Sequence, residues 1–278
     1  MSAQPLPALT TQDGAQLALY GWPLPPGQPA RALVLVVHGL GEHAGRYTAL
    51  AAQLNAWGFE VRAYDQRGHG HSSGLRGALP HPHTLLDDLA QVVDHTLASG
   101  APRPLLLLGH SLGGLVAARF VSLGLRPVDG LVLSSPALDA GMSAFQTWLL
   151  SWLPKVAPQL RVGNGLKLQY LSHDPAVAQA YQRDPLVHDR VGVAMARFLA
   201  DAGPATVAAA PQWTVPTLLM YAGADRLVNP DGSRAFAAAA PPDAVTTEPF
   251  EAMYHELFNE LDRAQVFARL HRWLDTRY

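Results

Sequence analysis

The chain has no cysteine. Disulfides, thiol nucleophiles and thiolate metal ligands are therefore excluded, and the redox compartment cannot be read from its thiols. Charge is sparse as well: 15% of the 278 residues are Asp, Glu, Lys or Arg, and the formal net charge is -2. No Lys/Arg-rich run appears, so there is no basic field to attract nucleic acid, and no nucleic-acid partner is expected. Long apolar runs are missing too. The longest, at 105–108 and 131–133, have the length of strands, far below the ~20 residues that cross a bilayer. Residues 1–10 lack a basic stretch followed by an apolar block, so no signal peptide and a cytoplasmic location are the expectation. Against these absences stands a hydrophobic content of 49%, ample for one large α/β domain with an insertion.

Apolar patterning places the elements. Residues 6–22 alternate loosely around Asp13-Gly14, a hairpin signal. Leu33 to Val37 reads as a buried strand ending at His38-Gly39. Residues 47–57 read as a helix stopped by Gly58, 59–64 as a strand closing at Asp65, and 84–98 as an amphipathic helix. Strands follow at 105–108 and 131–134, then at 217–221 and 245–250, and a last amphipathic helix spans about 262–274. Continuous apolar strands separated by helices imply crossover connections and a mostly parallel sheet buried on both faces. Between about 137 and 210 the rhythm breaks: helical patches and prolines appear, with no convincing strand. The expected organisation is an α/β core at 1–136 and 211–278, with a helical cap inserted at 137–210.

The chemistry centres on Leu105-Leu106-Leu107-Leu108-Gly109-His110-Ser111-Leu112-Gly113-Gly114. A strand runs into Gly-x-Ser-x-Gly, and a helical pattern follows at once. Such a turn holds a serine hydroxyl clear of the backbone, where a base can take its proton. Alone the motif is weak, because glycine and serine are common in turns. A serine needs a base, and the base needs an orienting acid. In parallel sheets such groups gather beyond the carboxyl ends of strands. Asp225 follows the 217–221 strand, and His255 follows the 245–250 strand. The order Ser111, Asp225, His255 is one that serine hydrolases use. Asp139, after the 131–134 strand, is a competing acid. His255-Glu256 begins like a zinc-helix motif, but Asn259 stands where a second histidine is required, so no metal and no cofactor are expected.

Acyl transfer also needs backbone N–H groups to hold a developing oxyanion. Leu112, just after the serine, supplies one. Leu40, in the Gly-rich loop His38-Gly39-Leu40-Gly41-Glu42-His43, is the choice for the other. Asp65-Gln66-Arg67-Gly68-His69-Gly70-His71-Ser72 invites a metal reading, but a rigid hydrogen-bonded loop that buttresses the sheet is the preferred one. In the insertion, Phe145, Trp148, Leu149, Trp152 and Leu153 lie at helical spacing. They are expected to line or cover an apolar acyl pocket, with transient contact to a lipid surface as a second use.

Taken together, these segments resemble the monoacylglycerol lipases of the α/β-hydrolase superfamily, their bacterial members in particular. Residues 38–47 look like that family's oxyanion loop, and 65–73 are similar to its Asp-x-Arg-Gly-His-Gly-x-Ser loop. Residues 109–114, 223–228 and 254–256 match its nucleophile, acid and histidine segments. Arg183-Asp184-Pro185-Leu186-Val187 looks like a cap segment. The resemblance implies an α/β-hydrolase fold with Ser111, Asp225 and His255 as triad, Leu40 and Leu112 as oxyanion donors, and a small-molecule ester, a monoacylglycerol above all, as substrate. Rival readings on the same fold are a short-chain carboxylesterase, a thioesterase or an aminopeptidase. The last needs a carboxylate in the cap for a substrate ammonium, and Asp174, Asp184 and Asp189 are candidates. A non-catalytic binding protein is the rival outside enzymes.

Overall fold

The apolar runs become strands buried along their whole length in the computed structural model of the chain, which describes residues 3–98, 103–141, 152–153, 157 and 159–278. In chain order the strands are β1 (Gln4–Thr10), β2 (Gln16–Trp22), β3 (Leu33–Val37), β4 (Glu60–Tyr64), β5 (Leu105–His110), β6 (Gly130–Ser134), β7 (Arg161–Gly163), β8 (Arg190–Gly192), β9 (Thr217–Ala222) and β10 (Val245–Phe250). The described α-helices are α1 (Thr48–Ala56), α2 (Thr84–Ala98), α3 (Leu112–Ser122), α4 (Pro175–Arg183), α5 (Val193–Ala209), α6 (Asp231–Ala239) and α7 (Arg263–Asp275).

Eight strands form one sheet in the order β1-β2-β4-β3-β5-β6-β9-β10. Only the β1–β2 hairpin and the β2–β4 pair are antiparallel; from β4 to β10 every pairing is parallel. Because side chains alternate along a strand, each buried run feeds two cores. Leu33, Leu35, Val37, Leu105 and Leu107 meet α2, α3 and α5 on one face. Val34, Val36, Leu106 and Leu108 meet α1 and α7 on the other. Pro249 sits in β10, an edge strand bonded only to β9, where a missing N–H costs no ladder bond. This is the α/β-hydrolase fold.

The chain leaves the main sheet after β6 and rejoins it at β9. The expectation of no strand in this excursion is corrected: β7 and β8 pair antiparallel, three residues each. Runs this short carry no alternation, so the pattern could not reveal them. Helices α4 and α5 fall within the expected helical insertion, without having been delimited there, and α6 was not foreseen. The Ala-rich α5 has weak apolar contrast between its faces, although it buries Met195, Phe198 and Ala202 against the core. Among the described residues no helix is long and apolar enough to cross a membrane.

The junction between β5 and α3 is closely packed. A methyl group built on Gly113 would lie 2.1 Å from the Val37 carbonyl oxygen, and one on Gly109 would lie 2.4 Å from the Gly113 carbonyl. The helix N-terminus therefore rests on the backbone of β3 and β5. Gly113→Ala should cost about 3 kcal/mol, the upper range for overpacking a close core. Urea unfolding measures it; a loss below about 1 kcal/mol would show that the contact relaxes freely.

Candidate active site

β3, β5, β9 and β10 bring their carboxyl ends to one rim of the sheet, and each ends in a loop that carries a residue expected at the site. Ser111 stands between β5 and α3 with φ 53 and ψ -119. That region is costly for a residue with a Cβ, by about 1–3 kcal/mol, so the surroundings must hold it. They do so through the backbone. The Ser111 N–H donates to the Ser134 carbonyl at 3.0 Å, and the Ser111 carbonyl accepts from the N–H groups of Leu115 and Ala137, each at 3.0 Å.

Asp225, three residues beyond β9, and His255, five beyond β10, form a buried pair. His255 Nδ1–H donates to Asp225 Oδ2 at 2.6 Å. Asp225 Oδ1 accepts from the N–H groups of Leu227 (2.8 Å) and Val228 (3.1 Å). Burial pushes the Asp225 carboxyl up, but the His255 imidazole and these two donors outweigh it and hold it below the ordinary value. For His255, burial works against the charged ring. The Asp225 carboxylate outweighs this, Glu256 and Glu42 add to it, and the net shift is upward. The His255 ring lies 4.7 Å from that of His110, the neighbour of Ser111, and Ser111 and His255 line one cavity. Among the described residues no hydrogen bond joins Ser111 Oγ to the imidazole. Such bonds are commonly long in unliganded sites and tighten around substrate.

Leu40 and Leu112 line the same cavity. Leu112 opens α3, so its N–H belongs to the unpaired first turn at the positive end of the helix dipole. Leu40 sits in a loop fixed from the excursion. Gly41, at φ 77, has its carbonyl bonded by the His188 N–H at 2.9 Å, and a Cβ there would lie 2.3 Å from the His188 carbonyl oxygen.

Sequence reasoning missed a buried ionic network beside these groups. Arg46 makes a two-pronged pair with Glu256, 2.9 Å on each side, and reaches Glu42 Oε2 at 2.6 Å. Glu42 Oε1 accepts from the Gly39 N–H and the Tyr47 hydroxyl, both at 2.6 Å. Burial would raise the Glu42 carboxyl, but Arg46 and its other partners hold it at about 2. The i,i+4 spacing of Glu42 and Arg46 was the available signal; nothing in the linear sequence pointed to Glu256 as the third member.

The cavity, about 210 Å³, is largely apolar elsewhere, with Ala137, Leu166, Leu171, Val191, Leu199 and Val228 on its walls. The expected acyl-pocket residues are not seen there. Phe145, Trp148 and Leu149 lie outside the described residues, and Trp152 is 53% exposed and absent from the described lining. The competing acid Asp139 is engaged by Asn229 Nδ2 at 2.6 Å and the Gly141 N–H at 2.8 Å. Asp174 caps α4, Asp184 accepts from His43 Nε2–H at 2.8 Å, and Asp189 pairs with Arg190 at 3.1 Å. None of these four carboxylates is in the described lining.

The Asp65–Ser72 loop is a hydrogen-bonded buttress. Asp65 accepts from the N–H groups of Ala44 and His71, each at 2.8 Å, and from the Tyr20 hydroxyl at 2.9 Å. Arg67 is held by Asp88 and Asp13. Among the described residues no group of three or more His, Asp or Glu is placed to hold a metal.

An eight-stranded α/β sheet with a strained serine at the strand–helix turn and an Asp–His pair on the same rim defines a hydrolase of the α/β-hydrolase class. The model of the family described as serine aminopeptidase, S33, matches residues 28–262, and the chain belongs to that family. It is 32% identical to a monoacylglycerol lipase of Mycolicibacterium smegmatis, over 90% of each chain. An uncharacterized abhydrolase domain-containing protein of Dictyostelium discoideum is also 32% identical, but the chain, matched over 97% of its length, spans only 29% of that protein. The crystal structure of a Paleococcus ferrophilus monoacylglycerol lipase superposes with a TM-score of 0.83 at 32% identity, covering 95% of this chain and 99% of that one. The chain is a carboxylic ester hydrolase, monoglyceride lipase-like in sequence and fold.

Two outcomes follow from the charges. Replacing Arg46 with Met leaves two buried carboxylates without their cation, and stability should fall by about 3–5 kcal/mol in denaturant titration. With His255 proposed as the base, turnover would need its neutral ring, and protonation would remove activity as the pH falls through its folded-state value. That value is raised, which places the acid limb of kcat/KM above 6.5. A limb midpoint below 6.5 would contradict the Asp225 interaction as its cause.

Proposed function

We propose that the protein hydrolyses monoacylglycerols through Ser111, His255 and Asp225. His255 Nε2 takes the Ser111 proton as Oγ attacks the ester carbonyl. The N–H groups of Leu40 and Leu112 hold the oxyanion. The imidazolium gives its proton to the glycerol oxygen, and the C–O bond breaks, leaving an acyl-serine. Water, deprotonated by the same imidazole, attacks this ester, and the proton returns to Ser111 as the fatty acid leaves. Asp225 keeps Nδ1 protonated and stabilises the charged ring. Residues 137–210 serve as a cap over the site.

One observation carries the choice among acyl substrates. The two carboxylates of the described lining, Glu42 and Glu256, are both committed to Arg46. Glu42, Glu256 and Arg46 together keep one net negative charge, but every oxygen of the two carboxylates already accepts a hydrogen bond, so a substrate ammonium would find no free carboxylate oxygen, and the remaining wall is largely apolar. That favours an uncharged ester with a hydrocarbon tail over an aminoacyl substrate. The likeness to proteins named monoacylglycerol lipase supports the same reading. Phe145, Trp148, Leu149 and Trp152 are proposed to extend the acyl path at the cap, where contact with a lipid surface is also proposed.

A panel of p-nitrophenyl esters from about two to sixteen carbons, with monoacylglycerols and aminoacyl amides beside it, tests this. We expect monoacylglycerol turnover with a long-chain optimum and no amide cleavage. Ser111→Ala should lower kcat by about 10⁴-fold or more and abolish fluorophosphonate labelling. Turnover of amides alone would overturn the substrate, and hydrolysis surviving in Ser111→Ala would overturn the mechanism.

A further inference from the structure

Glu260 is a buried carboxylate that the proposed reaction does not use. It lies five residues beyond His255, 2% exposed. Its two oxygens collect donors from two separate stretches of chain. Oε1 accepts from the Tyr254 N–H at 2.7 Å and from His173 Nδ1–H at 2.8 Å. Oε2 accepts from the N–H groups of His173 and Leu261, each at 3.2 Å. A carboxylate so placed behaves as a strong multiple acceptor. Burial pushes its pKa up, yet the Tyr254 N–H and the His173 contacts bring it below the ordinary range.

These donors share a direction: they join residues 170–173 of the excursion to the loop that bears His255. The His173 ring stacks on Tyr254 with centroids 3.7 Å apart and planes inclined by 17°. On another side Tyr170 meets Tyr254 edge-on at 5.7 Å. The Tyr170 carbonyl accepts from the His255 N–H at 3.4 Å, and the Leu171 carbonyl accepts from the Glu256 N–H at 2.7 Å. Ser172 Oγ donates to the Asn259 carbonyl at 2.9 Å. Arg226, next to Asp225, lies over the Tyr170 ring at 4.9 Å. The loops of the acid and of the histidine are thus both held against one short segment of the excursion.

We infer that Glu260 is a positioning residue for His255, acting through Tyr254 and through the 170–173 segment that it ties to the histidine loop. The inference rests on the proposed role of His255 as the base. A backbone held this closely sets where the imidazole stands relative to Ser111, and an error of about 1 Å there can cost about 10²-fold. The group acts through its charge and its two acceptors. Glu260→Gln keeps the volume but turns an N–H₂ toward backbone donors, which loosens the tie without opening a cavity.

The test is Glu260→Gln, with sites counted by fluorophosphonate labelling so that unfolded protein does not enter the rate. For a p-nitrophenyl ester, kcat per labelled site should fall about tenfold or more while KM changes less than about twofold. The acid limb of kcat/KM should also move, because the His255–Asp225 contact is disturbed. Unchanged kcat per site with an unmoved limb would reduce Glu260 to a structural role and overturn the inference. If Glu260→Gln does not fold, His173→Phe keeps the stack on Tyr254 and removes only the ring N–H to Oε1. It should lower kcat about threefold in the same direction, and wild-type kinetics would overturn the inference. Were the wild-type protein to cleave no ester, the proposed reaction would fail on its own. The tie would then be read from the low-field proton resonance of His255 Nδ1–H, which Glu260→Gln should shift or broaden and which, if unchanged, would overturn the inference.

Discussion

The backbone turn at Ser111 is the constraint on which the site depends. A φ of 53 and ψ of -119 are not a conformation a serine adopts unaided. The turn is held by three backbone hydrogen bonds and by the contact of α3 with β3 and β5 at Gly113 and Gly109. The same geometry that strains Ser111 fixes the Leu112 N–H at the head of the helix, beside the hydroxyl. Positioning of the proposed nucleophile and of the proposed Leu112 oxyanion donor is therefore one structural decision. Its cost is met by the packing of the parallel sheet, which is continuous and dry beneath it.

A second constraint is charge. Glu42 and Glu256 flank the proposed base and would both stabilise its protonated form. Without a counter-ion they would also repel one another in a buried setting, where desolvation of an unpaired carboxylate is expensive. Arg46 resolves this geometrically: its planar fork serves Glu256 with two nitrogens and Glu42 with one of the same two. Glu42 in turn bonds the Gly39 N–H, so the charge network reaches the loop that carries Leu40. The rise at His255 comes chiefly from Asp225 acting against burial, with the two glutamates contributing less.

The middle of the central sheet was legible because β3, β5, β6 and β9 are buried along their whole length. Leu33–Val37 and Leu105–Leu108 leave no polar alternation to confuse a strand with anything else. The proposed Ser111, Asp225 and His255 could be picked out because each lies within five residues of the end of a strand, and chain order does the rest. The excursion was opaque for the opposite reason. β7 and β8 have three residues each, and α5 carries so much alanine that its buried and exposed sides look alike. Apolar residues such as Trp152 advertised a pocket, yet the described wall is made by smaller, scattered side chains such as Leu166, Val191 and Leu199. The ties of Arg46 to Glu256 and of Glu260 to His173 were hidden because these partners lie 210 and 87 residues apart in the chain. A buried ion pair joins residues in space and leaves no period in the sequence.

The excursion also contributes more than a cover. It touches the machinery at separate points: the His188 N–H on the Gly41 carbonyl, Asp184 on His43, and the 170–173 segment on the loops of Asp225 and His255. The first two hold the loop of the proposed Leu40 donor; the third holds the proposed base. Both loops already pack on the core and are joined to each other through Arg46, and the excursion adds its contacts to these. A displacement of residues 170–188 relative to the sheet would then alter two parts of the site together, while Ser111, fixed from below by α3 and β5, would stay where it is. Access to the cavity and alignment around the serine are therefore set by the same contacts.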